Sequence, residues 1–251
     1  VNDLEIRIIT FICVFGGALL GMALKRSLPD HHLGNDSKDS VKVGMGLVAT
    51  MSALVLGLLV ASAKSSYDSQ ASELTELSSH VVMLDRLLAH YGPESKDARA
   101  TLHTAVSRAL DRIWTEEAEG PAHMEAPAEA FDQLIDKVQV LPAATDAQRE
   151  FKREALTRAI EAGETRWLMY EQGSTAASLP LVVILIAWLS LIFGRFGLFA
   201  PTNGTVLTSF FVSALSVAAA ILLILEMYTP YAGIVKLSSG PLRVALAQLG
   251  Q

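Results

Sequence analysis

The run VGMGLVATMSALVLGLLVASA (Val43–Ala63) passes without a proline into KSSYDSQASELTELSSHVVMLDRLLAHY (Lys64–Tyr91). The first half carries no charge, and it meets the roughly 20 apolar residues that a helix needs to cross a hydrocarbon core. The second half keeps the helical rhythm but changes solvent. Tyr67, Ala71, Leu74, Leu77, Val81, Leu84, Leu88 and Tyr91 step by three or four, an apolar seam with polar residues between. Gly92-Pro93 then stops the helix. With no breaker from Val43 to Tyr91, the reading is a membrane helix that continues into water as one rod of roughly 70 Å.

Working outward, three more stretches are long and apolar enough to span: about 4–24, 179–200 and 206–228. The first begins with Glu5 and Arg7, which can snorkel to the interface. It reads as a retained span rather than a signal peptide, because its start is not basic and it ends in Leu24-Lys25-Arg26 with no small-x-small site. The last two are joined by Pro201-Thr202-Asn203-Gly204, a turn short enough to make them antiparallel neighbours. Half of the 251 residues are hydrophobic, and the charges are segregated. The stretch 64–178 holds twelve basic and twenty acidic residues against eight and six elsewhere, so the net −6 divides as −8 and +2. An acidic middle without a basic run argues against a nucleic-acid partner. A single cysteine, Cys13, permits no intrachain disulfide and no Cys/His zinc spacing.

The middle reads as helices throughout. After Tyr91 a helix is expected over about 94–119 with Ala98, Leu102, Ala105, Ala109 and Ile113 inward. A loop rich in Pro, Gly and Ala (120–127) follows, then a helix over 128–140 with Phe131, Leu134, Ile135 and Val138 inward. Thr145-Asp146-Ala147-Gln148 opens the last one as a capping box, and it runs to about Gln172. The expected fold is therefore an all-α membrane protein: four transmembrane helices in two hairpins (1–63 and 179–228) flanking an antiparallel helical bundle (64–178), with a tail at 229–251.

Ala49, Ala53, Gly57 and Ala61 recur every four residues on the second span, a ribbon that lets backbones approach closely. It can pack within the chain against Gly17 and Gly21 of the first span, which is the plainer expectation, or against other copies around an axis. Should this helix line a pore, Thr50, Leu54, Gly57 and Leu58 are the candidate lining residues, with Leu54 and Leu58 as a constriction gating by dewetting. Glu226 lies near the end of the fourth span; an intramembrane acid is a functional candidate. Reaching towards headgroups or pairing with Lys236 is the expectation placed ahead of that.

Catalytic patterns are missing from the sequence: there is no nucleophile elbow, glycine-rich phosphate loop or zinc-protease helix. Asp30-His31-His32 with Asp36 and Asp39 supplies metal-ligand types, but adjacent residues seldom point the same way, and no metal or cofactor is expected. His80, His90, His103 and His123 stand singly.

Two stretches carry a resemblance. One is Leu28-Pro29-Asp30-His31-His32-Leu33 with Asp39 to Gly46 and Ser52 to Leu58. The other is Glu226-Met227-Tyr228-Thr229-Pro230-Tyr231-Ala232-Gly233-Ile234-Val235-Lys236-Leu237-Ser238, followed by Pro241-Leu242. They resemble the bestrophin-like domain-of-unknown-function family of bacterial membrane proteins, with Leu28, Pro29, His32, Glu226, Pro230, Gly233 and Ser238 as the motif positions. The family's ELDxPFxGxIxVS run here has Tyr228 for the Asp and Tyr231 for the Phe. The resemblance implies the layout of bestrophin anion channels: a homopentamer, a pore lined by the second helix, and a cytoplasmic helical region between spans two and three. On that basis the partners are other copies of the chain, the bilayer of a bacterial inner membrane and inorganic ions. Basic residues at the membrane flanks tie at five against five for the two orientations, so the cytoplasmic placement rests on the resemblance.

An alternative expectation is a membrane sensor or adaptor whose bundle binds a ligand or partner; it calls for a periplasmic bundle and a dimer. A motor-stator layout ranks last, since no Asp lies mid-membrane to carry a proton.

Overall fold

The computed structural model describes residues 3–29, 35–114, 128–173, 179–231 and 233–250. Among them the chain is helical without a strand: α1 (Asp3–Ser27), α2 (Asn35–Tyr91), α3 (Lys96–Trp114), α4 (Ala128–Gln139), α5 (Asp146–Gly173), α6 (Leu179–Phe199), α7 (Gly204–Met227) and α8 (Gly240–Gln248). Helix α2 is one uninterrupted element of 57 residues, about 85 Å at the α-helical rise. Among the described residues four stretches are long and apolar enough to cross a membrane: Ile8–Ser27, the beginning of Lys42–Tyr91, Leu179–Phe199 and Gly204–Met227. This is an all-α membrane protein. The chain forms two compact units, one of Val1–Ser65 with Ala176–Tyr228, the other of Ser66–Thr175 with Thr229–Gln251.

In the first unit α1 packs along α6 and α7. Its approach to α6 is backbone on backbone. A Cβ added at Gly17 would lie 2.6 Å from the Ser190 carbonyl oxygen. One at Gly21 would run into the Gly194 carbonyl, and one at Gly197 into that of Ala18. Without a hydrophobic drive between helices in lipid, such close small-residue contact is what holds them. Val14, Ala18, Phe193 and Ala214 fill one core beside it, flanked by a Phe11–Phe15–Phe211 cluster with centroids 5.4–5.7 Å apart. A second core joins Leu59 and Ala63 of α2 to Val182, Leu185, Ile221, Ile224 and Leu225. At one end Lys25 Nζ donates to the Ala200 carbonyl over 2.8 Å, and Asn203 caps α7 by accepting from the Val206 N–H over 2.9 Å.

Gly17 and Gly21 are therefore the partners of Ser190 and Gly194, not of the α2 ribbon. The expectation of intrachain packing between that ribbon and α1 is corrected: Ala49, Ala53, Gly57 and Ala61 are exposed, and a Cβ at Gly57 would meet nothing within 4 Å.

The second unit buries the seam on α2: Leu74, Leu77, Val81, Leu84, Leu88 and Tyr91 are in its core, with Tyr67 and Ala71 partly covered. On α3 the buried face is Ala98, Leu102, Ala105, Val106 and Leu110. Val106 and Leu110 join them in place of Ala109, which is half-buried, while Ile113 packs at the edge of the core as expected. Helix α3 ends its described course at Trp114, and residues 115–127 lie outside the described residues. On α4, Phe131, Leu134 and Val138 are buried, with Ile135 packed beside them. The capping box forms reciprocally, Gln148 N–H to Thr145 Oγ1 at 3.1 Å and Thr145 N–H to Gln148 Oε1 at 3.3 Å. Gly92, with φ +126°, supplies the conformation that ends α2.

The C-terminal segment belongs to this unit. Trp114 Nε1 donates to the Leu237 carbonyl at 2.9 Å, and the Gly250 N–H donates to Asp85 at 3.2 Å. Asp85 is buried and also accepts two bonds of 2.8 Å from Arg99. This fork-on-carboxylate geometry satisfies a charge that would otherwise be costly to bury.

Because a larger residue at Gly21 meets α6 backbone, Gly21→Leu is expected to destabilise the first unit by about 3 kcal/mol. Within a single chain Gly57→Leu meets open space and should leave the first unit's own fold near wild-type stability. Thermal unfolding of the two variants in detergent checks the contrast; equal behaviour would contradict the α1–α6 contact.

Candidate pore-lining face of α2

The membrane half of α2 has two unlike faces. Val48, Ser52, Val55, Leu56, Leu59 and Ala63 turn towards the rest of the first unit and are buried or half-buried. Opposite them Val43, Leu47, Thr50, Leu54, Gly57 and Ala61 are exposed. These follow at intervals of 4, 3, 4, 3 and 4, the spacing of a helix–helix seam. Leu54 is 74 % and Leu58 59 % exposed, Leu58 at the edge of the seam. The sequence-predicted lining residues Thr50, Leu54, Gly57 and Leu58 thus lie on or beside the uncovered face, as do Ala53 and Ala61, while Ala49 borders the covered one.

Polarity on this face is sparse. The Thr50 hydroxyl donates to the Gly46 carbonyl at 2.9 Å, and Ser52 on the covered face donates to Val48 at 2.8 Å. Each hydroxyl proton is spent on its own helix, so Thr50 offers lone pairs outward. Between Lys42 and Lys64 no residue is charged. A face of this kind can pack on another copy or border a narrow apolar channel. It has no group for acid–base or nucleophilic chemistry.

The motif residues lie elsewhere. Leu28 is half-buried and Pro29 exposed just past α1. His32 lies outside the described residues, as do Asp30 and His31 and the side chains of Asp36 and Asp39. Among the described residues no acid, histidine and cysteine group is placed to hold a metal ion. Glu226, in the last turn of α7, is 1 % exposed. Its carboxylate is turned into the protein, which corrects the expectation that it reaches towards headgroups. Pro230 is buried, and the Leu237 N–H donates to its carbonyl over 2.7 Å. Gly233 has φ +81°, a left-handed conformation that favours glycine. Ser238 Oγ accepts from the Gly240 N–H at 3.1 Å ahead of α8. Pro230, Gly233 and Ser238 thus lie in the folded link that leads into α8 of the second unit.

Among the single histidines, His80 lies 3.4 Å from Glu161 and His90 stacks on Phe151. His103 is exposed, and His123 lies outside the described residues.

Tyr231 sits in that link, 5 % exposed and edge-on to Trp114 at 6.0 Å. Its hydroxyl has no hydrogen-bond partner among the described residues. Burial pushes the phenol well above its usual range, and the Glu73 carboxylate adds to this. Sequence reasoning marked the position only as a departure from Phe; the buried hydroxyl was not visible in it. It also missed Ser190, Gly194 and Gly197, although their near-fourfold spacing on α6 repeats the signal read on α2.

Tyr231→Phe removes an orphaned buried hydroxyl and is expected to stabilise the protein by about 1 kcal/mol. The sign with pH follows from the raised phenol. Above pH of about 10 the unfolded chain releases a proton that the folded one keeps, so stability falls as pH rises there. The variant should lessen this alkaline loss, and burial of Tyr91, also raised, should retain part of it. Unfolding midpoints at neutral pH and near pH 10.5 test both parts, and a destabilised variant would refute the assignment.

Compared with known families, residues 12–242 match the model of the Bestrophin-like domain. No curated protein and no solved structure matches the chain.

Proposed function

The chain belongs to the Bestrophin-like family, and from that membership we propose that it is a homo-oligomeric ion channel of a bacterial inner membrane, a pentamer with α2 around the axis. The observation that carries this reading is the uncovered seam of α2, apolar between Lys42 and Lys64 and spaced for helix–helix contact. Leu54 and Leu58 form the narrowest ring. With no charge to hold water there, the ring passes inorganic ions only when it is wide enough to wet. Thr50 contributes a ring of hydroxyl oxygens nearby, and Gly57 gives the helices room to approach or to bend apart. The second unit stands on the cytoplasmic side and carries no catalytic role.

Native mass spectrometry of the detergent-purified protein is the first test. Five copies support the axis, and a monomer or dimer overturns it, turning attention to a partner for the helical unit. In liposomes Leu54→Ser is expected to raise ion flux several-fold by making the ring easier to wet, and Gly57→Leu to reduce it without unfolding the protein. The absence of flux from wild type and Leu54→Ser alike, across voltage, pH and tension, would refute conduction.

A further inference from the structure

A cleft of about 360 Å³ opens between the last two turns of α1 and the start of α7. Leu19, Met22, Ala23 and Leu207 form its apolar wall, with Arg26 at its rim. Leu19 and Arg26 are seven residues apart on α1, about 10 Å along the helix axis. The wall therefore begins within the span and the cation stands where the span ends at Ser27. Arg26 is exposed and makes no ion pair among the described residues. Its neighbour Lys25 is bonded to a neutral carbonyl, that of Ala200, so neither cation is neutralised by a described residue. Among the described residues no acidic side chain lines the cleft. The side chain of Asn203, which also borders it, is occupied in capping α7.

We propose that this cleft binds an anionic phospholipid, with the phosphate on Arg26 and the first methylenes of a chain against Leu19, Met22 and Leu207. A guanidinium fork matches phosphate oxygens in pairs, and a basic site between spans at the membrane surface has the arrangement for an acidic headgroup. The volume suits a phosphoglycerol with the start of its chain, the remainder lying in the bilayer. The site also ties α1 to the α6–α7 turn from outside, beside the Lys25–Ala200 bond. The assignment is independent of conduction and of the number of subunits.

The test is native mass spectrometry of the full chain with added phosphatidylglycerol, phosphatidylcholine or inorganic phosphate. Wild type is expected to retain phosphatidylglycerol in preference to phosphatidylcholine. Arg26→Gln, at an exposed position, should lower that retention roughly fivefold. Ala23→Trp, which fills the cleft and leaves Arg26 in place, should lower it as well. Equal retention of the two lipids, or retention unchanged in Arg26→Gln, overturns the proposal. Displacement of the lipid by inorganic phosphate alone would mark a bare anion site and overturn the lipid assignment. Thermal midpoints matched to wild type exclude unfolding as the cause, and if Ala23→Trp fails to fold, Arg26→Gln and the lipid comparison decide.

Discussion

Helices in lipid gain little from burying apolar surface against one another, so what fixes their arrangement is how closely their backbones can approach. In this protein that constraint is met between α1 and α6, where Gly17 and Gly21 face Ser190 and Gly194, and Gly197 faces Ala18. At Gly17, Gly21 and Gly197 the contact admits no side chain larger than hydrogen without displacing the neighbouring backbone. It also decides what the other spans can do. With α1 committed to α6 and α7, α2 is held by only one of its faces, through Leu59, Ala63 and their neighbours. Its opposite face is left uncovered, and the proposed assembly follows from that division.

The second unit solves a different problem by a different means. Apolar burial supplies the drive, and the seam of α2 is covered by α3, α4, α5 and the C-terminal segment. Polar contacts then select the register. Asp85 is fixed by Arg99 and by the Gly250 N–H, and Trp114 by the Leu237 carbonyl. The bonds to Gly250 and Leu237 join residues more than 100 apart in the chain, those of Arg99 join α3 to α2, and each is at least partly shielded, so a slipped arrangement would strand a charge or an indole N–H. The C-terminal residues act as a structural strap of this unit.

The spans and the helical middle were legible because both depend on composition and periodicity along a single helix. The capping box at Thr145 and the stop at Gly92-Pro93 are equally local, and the structure has both. Pairing was not legible. The ribbon on α2 and the glycines of α1 carry the same small-residue signal, and sequence alone could not say that α1 would choose α6. Nor could it say that Glu226 would turn inward, since snorkelling and burial begin from the same position near a helix end. The C-terminal segment looked like a tail because its anchors, Asp85 and Trp114, lie more than 100 residues upstream. Yet Gly240-Pro241 with Leu242, Ala245 and Leu249 has the proline-first start and the spacing of a short helix.

The glycines of the membrane unit can be sorted by what surrounds them. Gly17, Gly21 and Gly197 are explained by the backbone each one touches, since a Cβ would displace the neighbouring helix. Gly57 has no such neighbour, and glycine inside a helix costs about 1 kcal/mol relative to alanine in water. Lipid lessens that cost by enforcing helix wherever backbone would otherwise be unsatisfied, but it gives no reason to prefer glycine over leucine on an outward face. Gly44 and Gly46 are in the same position, with nothing within 4 Å. Three glycines on one span without an internal contact, two of them on the open side with Leu47, Thr50, Leu54 and Ala61, make sense if another backbone comes as near to α2 as α6 comes to α1. A second copy of the same helix, meeting it along the 4-3 seam, is the partner that its own spacing fits.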